Sequence, residues 1–242
     1  MLPEYCYGVP SRDSASELGE SIPGPFTEAL ALHARRREVN VLAGTFAESA
    51  ADGRVHNTSL FFDRRGEIAG TYRKTHLMDA MRYRESALIA PGDSLSVLDT
   101  DVGRVGVMVC YDLRFPEVAQ LMVQAGAEIV LVPSAFPAGS PLPPRTDHWD
   151  TLTASAALLN QVYVVAVNQY GANRAEHFFG RSCVLDPWGT RVAQAGGREE
   201  VVHARLDLDY AREVRESLAV QANRRPELYR PIEVTAPAAV PS

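Results

Sequence analysis

The chain has 242 residues and a formal net charge of −6, with 24 Lys and Arg against 30 Asp and Glu. Hydrophobic residues make up 46% of it and charged residues 22%, which is the balance of a folded globular protein and excludes a disordered, coiled-coil or collagen-like chain. An acidic chain has no broad positive field to gather phosphates, so we expect neither nucleic acid nor a membrane surface among its partners.

Short β-branched segments alternate with helical ones along the chain. Helix start and stop signals predict helices over Pro25–Arg37, which has Pro at its start and a basic last turn, over Pro116–Ala125 and over His148–Asn160, with a shorter one near Tyr210–Arg215. Strands are predicted where short β-rich segments are bounded by Gly, Pro, Asn or Asp, and there are ten of these: Asn40–Thr45, Thr58–Asp63, Ile68–Arg73, Leu95–Asp99, Arg104–Cys110, Ile129–Pro133, Val162–Asn168, Ser182–Leu185, Arg191–Gln194 and Val201–Leu206.

The number of strands bears on the fold class, which is α/β. The segments on either side of Asp63–Gly66 predict a hairpin. Ten strands with three or four helices favour two stacked sheets with outer helices over one doubly wound sheet. No linker divides the chain, so we predict a single domain over residues 1–242, with a loose tail at Ala236–Ser242.

Cysteine usage and hydropathy bear on the compartment. Three cysteines are too few for a disulfide framework and form no C-x-x-C metal pair. The chain also lacks an apolar run of membrane-spanning length, and its first residues do not resemble a secretory signal peptide. We therefore expect reduced thiols and a cytoplasmic location.

Cys110 is the first candidate for chemistry. It ends the apolar segment RVGVMVC, and the polar residues Tyr111 and Asp112 follow at once. A side chain at the carboxyl end of a strand faces the crevice where α/β proteins bind ligands, and the backbone N–H of Tyr111 would point there as an oxyanion donor. A lone cysteine is more often a buried core residue. A nucleophilic thiol would need a base; no spacing selects one of the six histidines, and the carboxylates are the other option.

Three segments together carry a resemblance to a known family. GVMVCYDLRFPE at Gly106–Glu117, GTYRKTHL at Gly70–Leu77 and LPEY at Leu2–Tyr5 resemble the nucleophile, lysine and glutamate segments of the nitrilase, or carbon–nitrogen hydrolase, superfamily. Shorter matches follow in family order: ESALIAPG, HW, NQVY, GRSCVLDPWG and RRPELY. The pattern is most similar to the omega-amidase and deaminated-glutathione-amidase branch.

The resemblance implies a role for each matched residue. Glu4 would be the general base, Cys110 the nucleophile, and Lys74 the cation beside the oxyanion, with the Tyr111 N–H as a second donor. Glu85 would be the second glutamate, which orients Lys74 and keeps it charged. Taken singly, a charged residue of this kind is more often a solvated surface group, so these roles depend on the residues occurring together.

Substrate contacts and supporting residues follow less directly. His148, Trp149 and Arg145 are candidate substrate-binding residues, although a helix cap with a packed Trp explains His148 and Trp149 equally well. Arg82 and Arg84 are further candidates for binding a carboxylate. We also expect Asp112 to pair with Arg114 and brace the turn after the nucleophile, and His76 to hydrogen-bond a turn.

The family implies an architecture and a reaction. Its members are four-layer α-β-β-α sandwiches that pair through helices, so we expect a homodimer or higher homo-oligomer without metal or organic cofactor. The expected reaction is hydrolysis of a small linear amide through a thioester to a carboxylic acid and ammonia, with the terminal amide of a dicarboxylate monoamide as substrate. The alternatives are an N-carbamoyl amine amidohydrolase, a nitrilase of the same fold, or a catalytically silent scaffold.

The chain departs from the family pattern in two places. It opens directly on the LPEY segment, whereas similar proteins carry a strand and a helix first. Because losing a buried strand removes roughly 10 kcal/mol of burial, we expect the natural product to start upstream. Ala154, Ala156 and Leu159 also stand where similar proteins carry arginines and an acidic residue.

Overall fold

The computed structural model describes residues 1–8, 19–138, 145–173 and 176–229, and the starts of its α-helices follow from local sequence. Pro25 and Pro116 lie in the first turns of two helices, where a backbone N–H has no helical partner to lose. Asp207 caps another helix by accepting hydrogen bonds from the N–H groups of Asp209 and Tyr210. The helices are α1 (Pro25–Arg37), α2 (Pro116–Gln124), α3 (Thr146–Asn160) and α4 (Leu208–Leu218). Within the described ranges, every helix is too short or too polar to serve as a bilayer span.

The first sheet is antiparallel and has four strands. The strands are β1 (Val41–Leu42), β2 (Phe46–Ser49), β3 (Val55–Phe62) and β4 (Ile68–Arg73). The central strand β3 pairs with β4 along one edge and with β1 and β2 in succession along the other. The hairpin predicted between β3 and β4 is confirmed. Its turn places Gly66 at φ +76°, where a Cβ would collide with the Ala31 carbonyl of α1.

The second sheet is mixed and has six strands, which are β5 (Val97–Thr100), β6 (Gly103–Val107), β7 (Ile129–Ser134), β8 (Tyr163–Asn168), β11 (Cys183–Leu185) and β12 (Arg191–Gln194). Their order in the sheet is β12-β11-β8-β7-β6-β5. Strands β6, β7 and β8 are parallel neighbours, and the other pairs are antiparallel. A separate short hairpin consists of β9 (Tyr170–Ala172) and β10 (His177–Phe179).

Apolar side chains alternate between the two faces of each sheet and so define the layers. In β3, Leu60 and Phe62 belong to a core shared with α1, whereas Phe61 belongs to the core between the sheets. In the second sheet, Val107 faces the first sheet, whereas Val130 packs in the core that includes α2 and α3. The layers therefore run helix, four-stranded sheet, six-stranded sheet and helices, which confirms the predicted α-β-β-α sandwich.

The prediction of individual elements was wrong in several places. Val201–Leu206 is not a strand: Val201 is 79% exposed and the segment joins no sheet, so its β-propensity is not supported by pairing. Strands β2, β9 and β10 were not predicted, because each is only three or four residues long, which is too short for a clear alternating pattern. The loose tail predicted at Ala236–Ser242 lies outside the described residues.

The ends of the strands bring together the segments that carry candidate chemistry. Lys74 directly follows β4 of the first sheet, and Cys110 comes three residues after β6 of the second. Ala135 follows β7, the parallel neighbour of β6. Because the two sheets are stacked, these ends meet at one side of the sandwich.

Candidate active site

A cavity of about 240 Å³ opens at this side of the sandwich. Its lining includes Glu4, Lys74, Glu85 and Cys110 together with Tyr111, which are the residues that the resemblance singled out. The structure therefore brings these five residues to one place, although they lie far apart along the chain. Leu88, Ile89, Phe136 and Phe178 supply much of the remaining wall, which is largely apolar.

Cys110 sits on a strained turn that opens its side chain to the cavity. The predicted strand to Cys110 ends earlier, at Val107, and Cys110 begins a 3-10 helix that runs to Arg114. Its φ is +47°, a left-handed conformation that costs a non-glycine residue about 1–2 kcal/mol. Strain of this kind persists only where the surrounding contacts hold it in place.

Asp112 supplies the contacts that hold the turn. Its fully buried carboxylate accepts hydrogen bonds from the Val109 N–H at 2.7 Å and the Tyr72 hydroxyl at 2.8 Å. It also accepts from the His76 N–H at 3.0 Å and lies 2.9 Å from Nδ1 of the His76 ring. Asp112 thus links the segment after Lys74 to the segment before Cys110, and His76 hydrogen-bonds a turn as expected. The expected Asp112–Arg114 pair was wrong, because Arg114 lies against Nδ1 of His148 instead.

Lys74 lies between two carboxylates in the buried part of the site. Its ammonium donates to Glu4 Oε1 at 2.9 Å and to both Glu85 oxygens, at 3.1 and 2.8 Å. Lys74 and Glu4 are each only 2% exposed, and Glu85 is the more open partner. Lys74 is also the only lysine in the chain, whose other side-chain cations at neutral pH are arginines. The presence of a single lysine in the sequence is therefore a further signal that points to Lys74.

Glu4 is fixed by the fold although it lies close to the first residue. Its Oε2 accepts the Ala135 N–H at 2.7 Å, and the Gln169 side chain donates to its backbone carbonyl at 2.6 Å. Gly44, with φ +66°, lets this segment approach the first sheet, because a Cβ there would collide with the Pro3 carbonyl. The carboxylate is therefore held rigidly on contacts from both sheets.

Two residues that the sequence interpretation missed complete the hydrogen bonding of the carboxylates. The Asn57 amide donates to Glu4 Oε1 at 2.9 Å and to Glu85 Oε1 at 3.1 Å. The Tyr5 hydroxyl donates to Glu85 Oε1 at 2.8 Å. Tyr5 is part of the LPEY segment and could have been found there, whereas Asn57 lies within β3 and carries no motif.

Burial and charge set the protonation states of the site. Burial raises the pKa of the Cys110 thiol well above 9.0, and the negative charge of Glu4 raises that pKa further against the opposing effect of Lys74. Burial would lower the pKa of Lys74, but the two glutamates outweigh it and hold the pKa well above 10.5. Burial would likewise raise the pKa of Glu85, but Lys74 and the hydrogen bonds hold it below 4.5. The resting site at neutral pH therefore contains a neutral thiol beside a charged lysine.

The three candidate substrate-binding residues lie in different places. Arg145 lines the cavity and lies over the ring of Phe136. Trp149 is fully buried behind that ring, where it packs on Phe136 and Phe179 and donates to the Arg181 carbonyl. His148 is exposed, and neither it nor Trp149 is among the residues that line the cavity.

The remaining candidate arginines are already engaged. Arg82 donates twice to Glu176, and Arg84 donates to the Tyr83 carbonyl. In the part of the chain that the structure describes, no group of three or more His, Cys, Asp or Glu is arranged to hold a metal ion.

The arrangement has the parts needed for acyl transfer. A thiol beside a carboxylate can lose its proton to that carboxylate, and the net charge of the cluster stays the same during the transfer. An adjacent ammonium can then stabilise negative charge that develops on a substrate oxygen.

Known proteins share both the sequence pattern and the fold of this chain. A sequence model of the family described as carbon-nitrogen hydrolase matches residues 1–216. The chain is 36% identical over 235 residues to omega-amidase NIT2-A of Xenopus laevis, which covers 94% of this chain and 83% of that protein. It is 38% identical over 241 residues to deaminated glutathione amidase of Bos taurus, which covers 95% and 72%. Among solved structures, Saccharomyces cerevisiae Nit3, a member of branch 10 of the nitrilase superfamily, has 31% identity and a TM-score of 0.83 over 93% of this chain and 82% of that one.

Proposed function

The chain belongs to the carbon–nitrogen hydrolase family, and from this we propose that it is a thiol-dependent amidase that hydrolyses a small linear amide to a carboxylic acid and ammonia. One observation carries the proposal: Cys110, Glu4, Lys74 and Glu85 line a single cavity, with Lys74 in hydrogen-bonding distance of both glutamates. Each side chain then has a role that its position supports.

The first half of the reaction forms a thioester. Glu4 takes the thiol proton as the Cys110 sulfur attacks the amide carbonyl carbon, and the carbonyl π electrons move to oxygen. Lys74 and the Tyr111 N–H stabilise that oxyanion, and one such donor lowers the activation barrier by about 3–4 kcal/mol. When the oxyanion collapses, the C–N bond breaks and Glu4 gives its proton to the nitrogen, which leaves as ammonia.

The second half releases the acid. Glu4 takes a proton from a water molecule, whose oxygen attacks the thioester carbon, and the same donors hold the second oxyanion. The C–S bond then breaks, the proton on Glu4 returns to the Cys110 sulfur, and the carboxylic acid leaves. Glu85 takes no proton in this sequence, and its two hydrogen bonds keep Lys74 charged and directed at the oxyanion.

The substrate that we propose is the terminal amide of a dicarboxylate monoamide. Support comes from the omega-amidase and deaminated glutathione amidase relatives and from the size of the cavity. Its volume of about 240 Å³ suits a short linear amide as the group bound inside.

A substrate panel tests the proposed reaction. We expect ammonia from glutaric and succinic acid monoamides, and a hydroxamate when hydroxylamine intercepts the acyl-enzyme. Carbon dioxide from an N-carbamoyl amine, or ammonia from a nitrile alone, would replace the proposal with one of the other reactions of the family. Absence of turnover on every compound, with Cys110 unlabelled by the substrates, would favour a silent scaffold.

We also propose that the protein is a homodimer. Leu158 at the end of α3 and Trp188 in the β11–β12 turn are 46% and 52% exposed, and Leu158 lies against Gly189 of the same turn. An apolar patch of this kind on an outer layer is typical of a subunit interface. Sedimentation equilibrium is expected to give twice the chain mass for the wild type and a shift toward monomer for Trp188→Arg. A monomeric wild type at micromolar concentration would contradict the proposal.

A cytoplasmic location is part of the same proposal. Cys6, Cys110 and Cys183 are all free thiols, and burial raises the pKa of Cys6 and of Cys183 to about 11. Free thiols suit a reducing compartment, where the nucleophile would not be oxidised.

A further inference from the structure

Arg145 is a buried cation for which the described residues supply no counter-ion. The residue is 4% exposed, and its Nη1 is buried without a hydrogen-bond partner among those residues. Its guanidinium carbon lies 4.2 Å from the centroid of the Phe136 ring. A guanidinium stays charged in a protein, so the described part of the cavity wall holds a positive charge that no described group pairs with.

The carboxylates of the cavity wall bind other groups. Three carboxylates line the described part of the cavity, and each has other partners. Glu4 and Glu85 bind Lys74, and Glu176 accepts two hydrogen bonds from Arg82 and one from the Tyr83 hydroxyl at 2.9 Å.

Another cation makes the position of Arg145 less favourable. The guanidinium of Arg114 lies 5.7 Å from the same Phe136 ring. Burial lowers the pKa of Arg145, and the charge of Arg114 lowers it further against the opposing effects of Cys110 and Glu176. A buried charge without a partner is unfavourable, so the natural partner of Arg145 is a group that arrives with a ligand.

We propose that Arg145 binds the carboxylate of the substrate and thereby selects anionic amides over neutral ones. This rests on the proposed amidase function and adds the residue that recognises the far end of the substrate. A guanidinium binds a planar carboxylate through two parallel hydrogen bonds, and the apolar wall at Leu88, Ile89 and Phe178 suits the methylene chain between carboxylate and amide.

The charge balance of the cavity favours a carboxylate over a phosphate. One guanidinium neutralises one carboxylate charge. A phosphate dianion would leave a negative charge near Glu4 and Glu85, whose two charges already outnumber the one on Lys74. We therefore assign a monoanionic carboxylate to this position.

Kinetics on a matched pair of amides tests the assignment. The pair is glutaric acid monoamide and its neutral isostere, in which an isopropyl group replaces the carboxylate. We expect wild-type kcat/KM to favour the monoamide by about a hundredfold, and Arg145→Met to bring the ratio near one, because a charged pair in a closed site is lost. Arg104→Met is the matched control, since Arg104 pairs with Asp99 and lies outside the lining of the cavity, and it is expected to keep the wild-type ratio.

The outcomes separate this inference from the proposed function. A wild-type ratio near one, or a high ratio that Arg145→Met preserves, overturns the role of Arg145 while the amidase function stands. Lack of wild-type turnover on both amides removes the amidase function itself, and the binding experiment below then decides the role of Arg145.

Thermal unfolding with glutarate provides that readout without turnover. We expect glutarate to raise the Tm of the wild type and to leave the Tm of Arg145→Met unchanged. Without ligand, Arg145→Met is expected to melt about 2–4 °C above the wild type, because the substitution removes an unpaired buried charge. A lower Tm for Arg145→Met, with glutarate stabilising both proteins equally, would show a structural role and overturn the assignment.

Discussion

Cys110→Ala is expected to lower the release of ammonia from an amide by at least about 10⁴-fold, because no second thiol is among the residues described in the cavity lining. The variant should fold normally, since Cys110 keeps part of its surface open to the cavity and alanine accepts the same backbone geometry with one atom less. The measurement is single-turnover ammonia release on glutaric acid monoamide, with circular dichroism to confirm folding.

Cys183→Ala is the matched control for this experiment. Cys183 is a buried thiol of the core between the second sheet and its helices, and it lies outside the cavity. We expect Cys183→Ala to keep wild-type kcat and to lose about 1 kcal/mol of stability, which is the effect of removing a small buried group. Equal activity in Cys110→Ala and Cys183→Ala would exclude cysteine catalysis.

Lys74→Met is expected to lower both stability and activity. It leaves Glu4 and Glu85 buried beside each other without a cation, and removing one partner of a buried ion pair costs about 3–5 kcal/mol. Loss of an oxyanion donor should lower kcat of the folded protein by about 10²–10³-fold. Urea unfolding and kinetics on the folded fraction measure the two effects separately.

The pH dependence of this loss has a defined sign. In the wild type the pKa of Glu85 is held below 4.5, so its stabilisation is present above that value and is lost as pH falls through the folded pKa. The pKa of Lys74 is raised above 10.5, so its stabilisation is present below that value and is lost as pH rises through the folded pKa. The difference in the free energy of unfolding between wild type and Lys74→Met should therefore be largest between these limits and should narrow as Glu85 is protonated in acid.

Arg73→Met controls for the loss of a neighbouring cation. Arg73 precedes Lys74 but pairs with Glu48 on the first sheet and does not line the cavity. We expect it to lose stability while the folded protein keeps wild-type kcat. A similar loss of kcat in both variants would mean that Lys74 acts through the fold rather than on the oxyanion.

Much of the fold could be predicted because it depends on local patterns. Helix α1 begins at Pro25 and ends in a basic turn as predicted, and β4 and β12 have their predicted bounds. In β3, successive side chains point to opposite faces of the sheet, so alternate residues are buried in the core with α1 and in the core between the sheets. Val201–Leu206 shows the limit of this approach, since a segment with strand-forming residues becomes a strand only when another strand pairs with it.

The candidate site was predictable only where a motif carried it. Cys110, Lys74, Glu85 and Glu4 were found through segments that resemble a family, whereas Asn57 contacts both glutamates and belongs to no such segment. The expected Asp112–Arg114 pair failed for a related reason. The pair was inferred because the two residues are close in sequence, but in the folded chain the hydrogen-bond partners of Asp112 include His76 and Tyr72.

The amino-acid sequence by itself determined which segments are helices and strands, that they form two stacked sheets, and which thiol, ammonium and carboxylates are candidates for catalysis. Tertiary structure alone decided the partners of those groups, such as the Ala135 N–H that binds Glu4 from 131 positions away, and left Nη1 of Arg145 without a hydrogen-bond partner among the described residues. The physical reason is that the spacing of apolar residues in a segment shows which of its faces is buried, and this depends only on the segment itself. The hydrogen bonds and charges at the ends of strands depend instead on which distant loops the stacked sheets bring together.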